Sequence, residues 1–242
     1  MSYKEAYGYA VARIRAMELR LLDASVFTRM LDAEDTASVL KVLGETSYAA
    51  ALTSVSGEGG IDKVLETVLH DTYEEVNSFV PQKELVALLR LPYDFSNAKV
   101  MLKSVFSVRS GGKKRWDLLT SLASYPVDKL ISDVETEDYQ LLPFGLSTLF
   151  PKCLSVWEQS RDVLEAERLL DRQMFAVMLE EAEKLAIPEI LAWVKLRIDG
   201  ENIRSLMRLK RFGFDSSRAA SFLHEGGNVD AGTLAPMIAE PF

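Results

Sequence analysis

Leu21-Leu22-Asp23, followed by Phe27 and by Met30-Leu31, recurs 148 residues later as Leu169-Leu170-Asp171, Phe175 and Met178-Leu179. All gaps within this Leu-Leu-Asp motif are preserved, and six identities at fixed spacing are not expected by chance in a chain of ordinary composition. The recurrence predicts an internally duplicated helical unit. A duplicated helical unit is typical of scaffold proteins rather than of enzymes.

Two further motifs follow in the same order in both halves. The Asp-x-x-Asn motif carries a basic residue two positions after the asparagine and a second one four positions later. Its members are Asp94, Asn97, Lys99 and Lys103 in the first half, and Asp199, Asn202, Arg204 and Arg208 in the second. The Gly-Gly motif is Gly111-Gly112 in the first half and Gly226-Gly227 in the second. The offset between copies changes from motif to motif, which predicts loops of different length on a shared helical frame.

Composition places the chain among soluble globular proteins. It has 242 residues, of which 48% are hydrophobic and 26% charged, so it is long enough for one large or two modest domains. The formal net charge of −8 argues against nucleic acid as a partner. With one cysteine and two histidines the chain has no disulfide framework and no Cys/His zinc site. We find neither a membrane-spanning apolar run nor a signal peptide.

Apolar residues recur every three or four positions through most of the chain, and no segment alternates with the period of a strand. We therefore predict an all-α protein. The pattern predicts a first helix running to about Asp23, a cap at Asp35 or Thr36 and a loop at Ser54 to Ile61 that contains Gly57, Gly59 and Gly60. It also predicts a break at Leu91-Pro92, with Asp94 or Ser96 capping the next helix. The longest helix is expected over Arg161 to Lys184.

The motif positions define a predicted domain organisation. Residues 1–122 form the first repeat unit, with an insertion of about 43 residues within 32–83 that the change in motif offset requires. Residues 123–162 form connecting helices, and residues 163–242 form the second repeat unit. The repeat markers are Asp23, Phe27, Asp94, Asn97, Asp171, Phe175, Asp199 and Asn202.

The residues offer no constellation that points to catalysis. Gly57 to Gly60 and Gly111-Gly112-Lys113-Lys114 lack the elements of a phosphate-binding loop, so helix-ending turns are the simpler interpretation. The glutamates of Glu180-Glu181 and Glu183 are interpreted as a solvated helix surface. His70, His224 and Cys153 have no partner at catalytic or metal-ligand spacing, and a buried inert thiol is the simpler interpretation of Cys153. We predict no catalytic residues, no metal and no cofactor.

Basic residues follow each Asp-x-x-Asn motif and also occupy the first helix. Lys99 and Lys103, like Arg204 and Arg208, are four apart and so share a helical face. Such a face is either simply solvated or a duplicated basic surface that receives an acidic protein partner, with nucleic acid as a third alternative. The candidate partner contacts are Arg13, Arg15, Lys99, Lys103, Arg204 and Arg208. The Asp and Asn residues of the motif are interpreted as caps and structural hydrogen-bonding groups.

A further motif opens the chain, namely Tyr7-Gly8-Tyr9-Ala10-Val11-Ala12-Arg13-Ile14-Arg15-Ala16-Met17-Glu18. Together with the three motifs in their order, this opening resembles the C subunits of archaeal and bacterial A/V-type ATPases. The related eukaryotic protein is the d subunit of the V-type ATPase. The resemblance covers nearly the whole chain. It implies an all-helical, open and funnel-like protein of three related units, without catalytic or nucleotide-binding residues. Such a protein lies on the membrane rotor ring and holds the foot of the central shaft.

The resemblance therefore implies a central-stalk subunit that transmits torque for proton or sodium transport coupled to ATP hydrolysis or synthesis. It would lie in the cytoplasm at the membrane face and contact the membrane only through partner subunits, namely the shaft and the proteolipid ring. We find two units where the family has three, which indicates a fragment or a naturally reduced member. A missing unit predicts an exposed apolar flank near Leu234 to Phe242 that favours self-association.

The sequence is compatible with two functions other than that of a rotary ATPase subunit. The first is a soluble helical-repeat adaptor, unrelated to rotary ATPases, that binds a peptide or protein on a concave face. Neighbouring genes for catalytic head and rotor subunits would favour the rotary ATPase, and their absence would favour the adaptor. The second is an enzyme, which a deep pocket with converging acids and bases would support.

Overall fold

The computed structural model describes residues 3–54 and 60–240. Within these residues the chain forms α-helices and two short 3₁₀ turns and contains no β-strand. The prediction of an all-α protein is confirmed there. Residues 55–59 of the loop predicted at Ser54 to Ile61, including Gly57 and Gly59, lie outside the described residues. The prediction is wrong at its ends, because Ser54 ends one helix and Gly60 and Ile61 begin the next. In the same two segments, every helix is too short or too polar to cross a lipid bilayer.

The chain divides into two compact units, residues 1–86 and residues 87–242. This division describes compactness within the chain, and the predicted boundaries of the repeat units stay a prediction. Unit 1 contains five helices in its described part: α1 (Tyr3–Glu18), α2 (Ala24–Leu31), α3 (Thr36–Gly44), α4 (Ala49–Ser54) and α5 (Gly60–Phe79). Successive helices from α2 to α5 pack on one another, and α1 packs on α5.

Aspartate caps set the starts of two helices in unit 1. The Asp23 carboxylate accepts a hydrogen bond from the N–H of Val26 at 3.0 Å, and the Asp35 carboxylate accepts one from the N–H of Ser38 at 2.7 Å. The predicted cap at Asp35 is confirmed. The prediction of one helix running to Asp23 is wrong, because α1 ends at Glu18 and Asp23 begins α2.

The Leu-Leu-Asp motif lies in two different local structures. Asp23 is the cap of α2, whereas Asp171 lies inside the long helix α9 (Val163–Leu185). Phe27 is 52% exposed, whereas Phe175 is only 4% exposed. The prediction that these two copies occupy equivalent positions is therefore wrong. The six identical residues have the same spacing in both copies. The first copy, however, lies at the start of α2, whereas the second lies in the interior of α9.

Unit 2 is built around four long helices. Helix α6 (Lys83–Arg109) contributes its residues from Ala87 onward, and α9 packs between α8 (Leu146–Ser160) and α10 (Pro188–Arg211). The shorter helices are α7 (Val127–Glu135), α11 (Ser216–Ala220) and α12 (Ala231–Leu234), and the 3₁₀ turns are Trp116–Leu118 and Ala235–Ala239. The helix predicted over Arg161 to Lys184 is confirmed as α9, but the prediction that it is the longest helix is wrong, because α9 has 23 residues and α6 has 27.

Helix α6 continues through Pro92, so the predicted break at Leu91-Pro92 and the predicted caps at Asp94 and Ser96 are wrong. A proline inside a helix removes one backbone hydrogen bond and costs about 3 kcal/mol. That cost is offset here by the burial of an apolar stripe of α6, whose side chains are almost wholly shielded from solvent inside unit 2. The stripe consists of Leu88, Leu91, Phe95, Ala98, Met101 and Leu102. Tertiary burial thus overrides the local signal of the proline.

The C-terminal segment packs into unit 2. Ile238 packs with Leu206, Leu209 and Ala219, and Leu234 packs with Leu223 in a neighbouring cluster. The predicted apolar flank is therefore wrong for these side chains, which are buried inside the unit, although Met237 is exposed. Phe242, the last residue of that flank, lies outside the described residues.

Candidate functional site

The two Asp-x-x-Asn motifs form the same hydrogen-bonded arrangement twice. In the first Asp–Asn pair, Asn97 Nδ2 donates to the carbonyl of Thr120 at 2.9 Å, and Asn97 Oδ1 accepts from the N–H of Thr120 at 2.9 Å. Asp94 accepts from the N–H of Tyr125 at 2.8 Å and from the hydroxyl of Ser124 at 2.7 Å. The segment that follows α6 is thereby held against the middle of that helix.

The second Asp–Asn pair repeats this pattern on α10. Asn202 Nδ2 donates to the carbonyl of His224 at 2.8 Å, and Asn202 Oδ1 accepts from the N–H of His224 at 2.7 Å. Asp199 accepts from the N–H of Val229 at 3.1 Å, from the N–H of Asn228 at 3.1 Å and from Asn228 Nδ2 at 3.0 Å. All four side chains of the two pairs are almost wholly shielded from solvent.

The positions held by the two pairs correspond to one another. Each asparagine binds a residue that lies five positions before the residue bound by the aspartate. The aspartate-bound residues, Tyr125 and Val229, each lie two positions before the first residue of a helix, Val127 of α7 and Ala231 of α12. The interpretation of these motifs as structural hydrogen-bonding groups is confirmed. They act from the interior of a helix, however, and not from its cap.

Burial affects the two aspartates differently. Desolvation raises the pKa of Asp94, and the hydrogen bonds from Tyr125 and Ser124 offset only part of this effect. Desolvation also acts to raise the pKa of Asp199, but the donors on Val229 and Asn228 outweigh it and bring that pKa below its ordinary value. The carboxylate with three N–H donors is thus the better stabilised anion.

The Gly-Gly motif does not pair as predicted. Gly111 follows the end of α6 with φ of 84°, and its N–H donates to the carbonyl of Val108. The residue with the same role after α10 is Gly213, with φ of 71° and an N–H that donates to the carbonyl of Lys210. The predicted equivalence of Gly111 and Gly226 is therefore wrong. Gly227 instead makes room for the Asp199 carboxylate, since a Cβ on Gly227 would overlap Asp199 Oδ1.

The two basic candidates in unit 1 both form ion pairs inside the chain. Arg13 binds Glu75 at 2.9 Å, and its guanidinium lies 5.2 Å from the ring centroid of Phe79. Arg15 binds Glu18 at 2.7 Å one helical turn away and is the more exposed of the two. Exposed pairs of this kind contribute little stability, so both side chains remain available to exchange partners.

Three of the four basic candidates in unit 2 are also paired. Lys99 binds Asp171 at 2.5 Å and Lys103 binds Glu167 at 3.0 Å, so the shared face predicted for these lysines lies against α9. Arg204 binds Glu201 at 2.8 Å. Arg208 has no ion-pair partner among residues 3–54 and 60–240. The structure thus brings Lys99, Arg204 and Arg208 together in one groove and does not place Lys103 with them.

A groove between α9 and α10 collects much of this charge. It has a volume of about 550 Å³ and is lined by residues of α9, α10 and the segment after α11, together with Lys99 of α6. We call it the α9–α10 groove. Its basic residues are Lys99, Arg168, Arg197, Arg204 and Arg208, and its acidic residues are Asp171 and Glu201. The sequence pattern did not reveal Arg168 or His224, because they reach the groove from other parts of the chain, and it did not reveal Arg197, because this residue precedes the Asp-x-x-Asn motif on α10.

The remaining titratable candidates lie in ordinary structural environments. Cys153 is buried, its Sγ lies 3.5 Å from the carbonyl of Ala166, and burial raises the pKa of its thiol to about 12. Glu180 and Glu181 both bind Lys184 on the surface of α9. His70 is partly exposed beside Asp71. Across the described residues, no cluster of three or more His, Cys, Asp or Glu side chains is arranged to hold a metal ion.

Comparisons with known proteins match almost the whole chain. A family-level sequence model described as "ATP synthase (C/AC39) subunit" matches residues 10–241. The A-type ATP synthase C subunit of Thermococcus kodakarensis is 24% identical over 236 residues, which cover 94% of this chain and 64% of the relative. The protein of the same description in Thermococcus gammatolerans is 27% identical over 241 residues, which cover 94% and 63%.

A bacterial protein shows a similar relationship. The V-type ATP synthase C subunit of Thermus thermophilus is 26% identical over 234 residues, which cover 93% of this chain and 69% of the relative. The chain spans just under two thirds of the length of the two archaeal relatives.

Proposed function

Because the chain belongs to the ATP synthase (C/AC39) subunit family, we propose that it is a non-catalytic central-stalk subunit of an A/V-type rotary ATPase. The observation that carries this proposal is the family match over residues 10–241. In this role the chain links the central shaft to the membrane proteolipid ring. It transmits torque between ATP hydrolysis or synthesis and the transport of protons or sodium ions.

The geometry of unit 2 supports a mechanical role. A protein that transmits torque needs elements that resist relative displacement. The two Asp–Asn pairs attach the segments after α6 and α10 to the middles of those helices through buried hydrogen bonds. Removing one partner of a buried hydrogen bond costs about 1–3 kcal/mol, so these attachments open rarely under load. The buried carboxylates and amides are engaged with backbone groups and serve as structural ties.

We propose that the six basic residues predicted as partner contacts form a surface that binds acidic residues of a partner subunit. These residues are Arg13, Arg15, Lys99, Lys103, Arg204 and Arg208. Arg15 and Arg208 have the least compensated charge of the six, because Arg15 is largely exposed and Arg208 lacks an ion-pair partner among the described residues. Arg13, Lys99, Lys103 and Arg204 are held by carboxylates of the same chain. An acidic partner surface would compete for Arg13, Lys103 and Arg204, whose side chains are exposed, at a cost of less than about 1 kcal/mol each, because exposed ion pairs are weak.

The extent of the match supports a further part of the proposal. The aligned region covers 63–64% of the archaeal relatives, which is the share expected for two of three similar units. We propose that the chain carries two such units and contacts the membrane only through its partner subunits, at the cytoplasmic face.

Reconstitution tests the function directly. Head, shaft, stator and proteolipid-ring subunits are assembled in vesicles with and without this chain, and ATP hydrolysis and ion uptake are measured together. We expect complexes that lack the chain to hydrolyse ATP without pumping, and addition of the chain to restore pumping. Normal ATP-driven pumping without the chain would refute the proposal. Binding to unrelated proteins, with no binding to shaft or ring, would favour the helical-repeat adaptor.

A further inference from the structure

The α9–α10 groove has a charge opposite to that of the whole chain. Five basic residues line it against two acidic ones, whereas the chain has a formal net charge of −8. The two acidic residues are already paired, Asp171 with Lys99 and Glu201 with Arg204. The groove is therefore left with the uncompensated charge of three arginines, namely Arg168, Arg197 and Arg208. An excess of guanidinium groups in one concave place attracts anions.

Two buried polar atoms at this groove have no hydrogen-bond partner among residues 3–54 and 60–240. They are Nδ1 of His224 and Nε of Arg168. His224 is only 8% exposed, and both residues line the groove. A buried polar atom without a partner costs about 1–3 kcal/mol, so such atoms are rare and point to a ligand.

Both side chains are held in place by the surrounding structure. The backbone N–H and C=O of His224 are bound by Asn202 of the second Asp–Asn pair, and the imidazole packs 4.5 Å from the ring of Phe175. The guanidinium of Arg168 lies 4.7 Å from the ring centroid of Phe222, and its Nη1 donates to the hydroxyl of Ser221. A ligand would thus meet donors that are already positioned, and little ordering of side chains would oppose binding.

The groove also has room for a small molecule. Arg197, Gly200, Arg204 and Arg208 follow one another at helical spacing along one face of α10. A Cβ built on Gly200 would meet nothing within 4 Å, so the groove is open beside this glycine. Its volume of about 550 Å³ falls within the range of small-ligand sites, about 300–1,000 Å³.

We propose that the α9–α10 groove binds a small multivalent oxyanion of the phosphate class through Arg168, Arg208 and His224. Planar guanidinium groups bind phosphate oxygens with paired hydrogen bonds, and the donors here come from two helices and a loop around one space. Nδ1 of His224 and Nε of Arg168 have almost no solvent-accessible surface, so the groove lining must adjust slightly for a ligand to reach them, and a compact ligand does this more readily than the side chains of a docked acidic helix. The first Asp–Asn pair holds Thr120 where the second holds His224, and the site therefore occurs only in the second arrangement.

Protonation of His224 reports on the site. Burial lowers the pKa of His224, and the nearby Arg172 and Lys99 lower it further, while Asp171 and Glu201 oppose this effect. The imidazole is thus neutral near pH 7, and the tautomer with a proton on Nδ1 donates to an oxyanion. A bound anion stabilises the protonated imidazole and therefore raises the pKa of His224. This inference goes beyond the proposed stalk function and holds whether or not the chain joins a rotary complex.

The test uses the full chain with inorganic pyrophosphate as the probe, in calorimetric titrations at pH 7 and low ionic strength. We expect one saturable site whose affinity falls with added salt. Arg208→Gln should weaken binding about tenfold, since it removes a hydrogen bond between charged groups. Arg211→Gln is the matched control, because it makes the same charge change on the same helix outside the groove, and it should change the affinity less than about twofold.

Imidazole NMR signals give the second readout, because the chain has only two histidines. Pyrophosphate should shift the His224 signals and raise the pKa of His224, and it should leave His70 unchanged. Equal responses of both histidines, equal effects of the two arginine variants or no saturable binding would overturn the proposal. Binding of a glutamate-rich peptide in the groove without binding of pyrophosphate would also overturn it.

Discussion

Asp199→Asn gives the sharpest test of the second Asp–Asn pair. In the native chain Asp199 Oδ1 accepts the N–H of Val229, and Oδ2 accepts both the backbone N–H and the side-chain N–H of Asn228. An asparagine has one oxygen and one NH₂ group at these places. In either orientation, its NH₂ group faces an N–H donor, and at least one partly buried N–H of Asn228 or Val229 loses its acceptor.

The magnitude follows from these contacts. A hydrogen bond to a charged group contributes about 1.5–3 kcal/mol, and an unsatisfied buried donor adds a penalty of about 1–3 kcal/mol. Because Asn228 and Val229 are partly exposed, the lower end of that penalty applies, and we expect Asp199→Asn to lower the free energy of unfolding by about 2.5–4 kcal/mol at pH 7. That loss is a large fraction of the stability of an ordinary domain, which is about 5–15 kcal/mol.

Asp94→Asn is the matched comparison. Asp94 accepts one N–H, from Tyr125, and one hydroxyl, from Ser124. The hydroxyl of Ser124 can reverse and accept from an asparagine NH₂ group, so both hydrogen bonds survive. Burial already disfavours the ionised form of Asp94. We expect this substitution to lower the free energy of unfolding by less than about 1 kcal/mol at pH 7.

The pH dependence of the two variants should have opposite signs. The pKa of Asp199 is lower in the folded chain than in the unfolded chain, so its contribution is present above the unfolded pKa and is lost as pH falls through the folded pKa. The pKa of Asp94 is higher in the folded chain, so its contribution is present below the unfolded pKa and is lost as pH rises through the folded pKa. The cost of Asp199→Asn should therefore grow as the pH rises from about 2 to about 5 and stay constant above that, while the cost of Asp94→Asn shrinks as the pH rises above about 4.

Urea unfolding followed by circular dichroism at several pH values measures both costs. The slope of the unfolding free energy against urea should match that of the native chain, which shows that the same surface is exposed on unfolding. Equal costs of Asp94→Asn and Asp199→Asn at pH 7 would contradict these roles of the two aspartates, as would two costs that change with pH in the same direction.

Three other predictions concern separate features of the chain. Gly200→Ala should raise the free energy of unfolding by about 1 kcal/mol in urea unfolding, because Gly200 lies inside a helix and an added Cβ meets no neighbour; a loss of stability would show that the space is occupied. Cys153 should not react with a thiol reagent at pH 8 in the folded chain and should react fully in urea, because burial raises its pKa to about 12; fast reaction of the folded chain would contradict the burial. Lys99→Met should change the unfolding free energy by less than about 1 kcal/mol, since its ion pair with Asp171 is partly exposed, and a much larger loss would show that the pair is structurally essential.

Sequence patterns predicted the features that depend on neighbouring residues. Helical periodicity located the all-α fold and the long helix α9, and the Asp35 cap followed from residue type and position alone. The Asp-x-x-Asn motif was correctly identified as a pair of structural hydrogen-bonding groups. The ordered motifs also pointed to the family that the comparisons then showed.

The predictions that were wrong depended on contacts between distant residues. The helix break at Pro92 was predicted from local geometry, but burial of one face of α6 overrides it. The Leu-Leu-Asp motif was interpreted from spacing, yet the surroundings of Phe27 and Phe175 differ completely in burial. Gly213, and not Gly226, was found to match Gly111 because the structure shows which carbonyl each glycine N–H binds.

The sequence by itself determined the helical character of the chain, the structural role of the Asp-x-x-Asn motif and the family, because periodicity, residue type and motif order can be read along the chain. Only the tertiary structure decided what those residues contact. Asn202 binds a residue 22 positions away, and Asp94 binds one 31 positions away. The α9–α10 groove likewise combines Lys99 with Arg208 and His224. Such pairings depend on how helices pack, and packing is set by the burial of many side chains together rather than by any one segment.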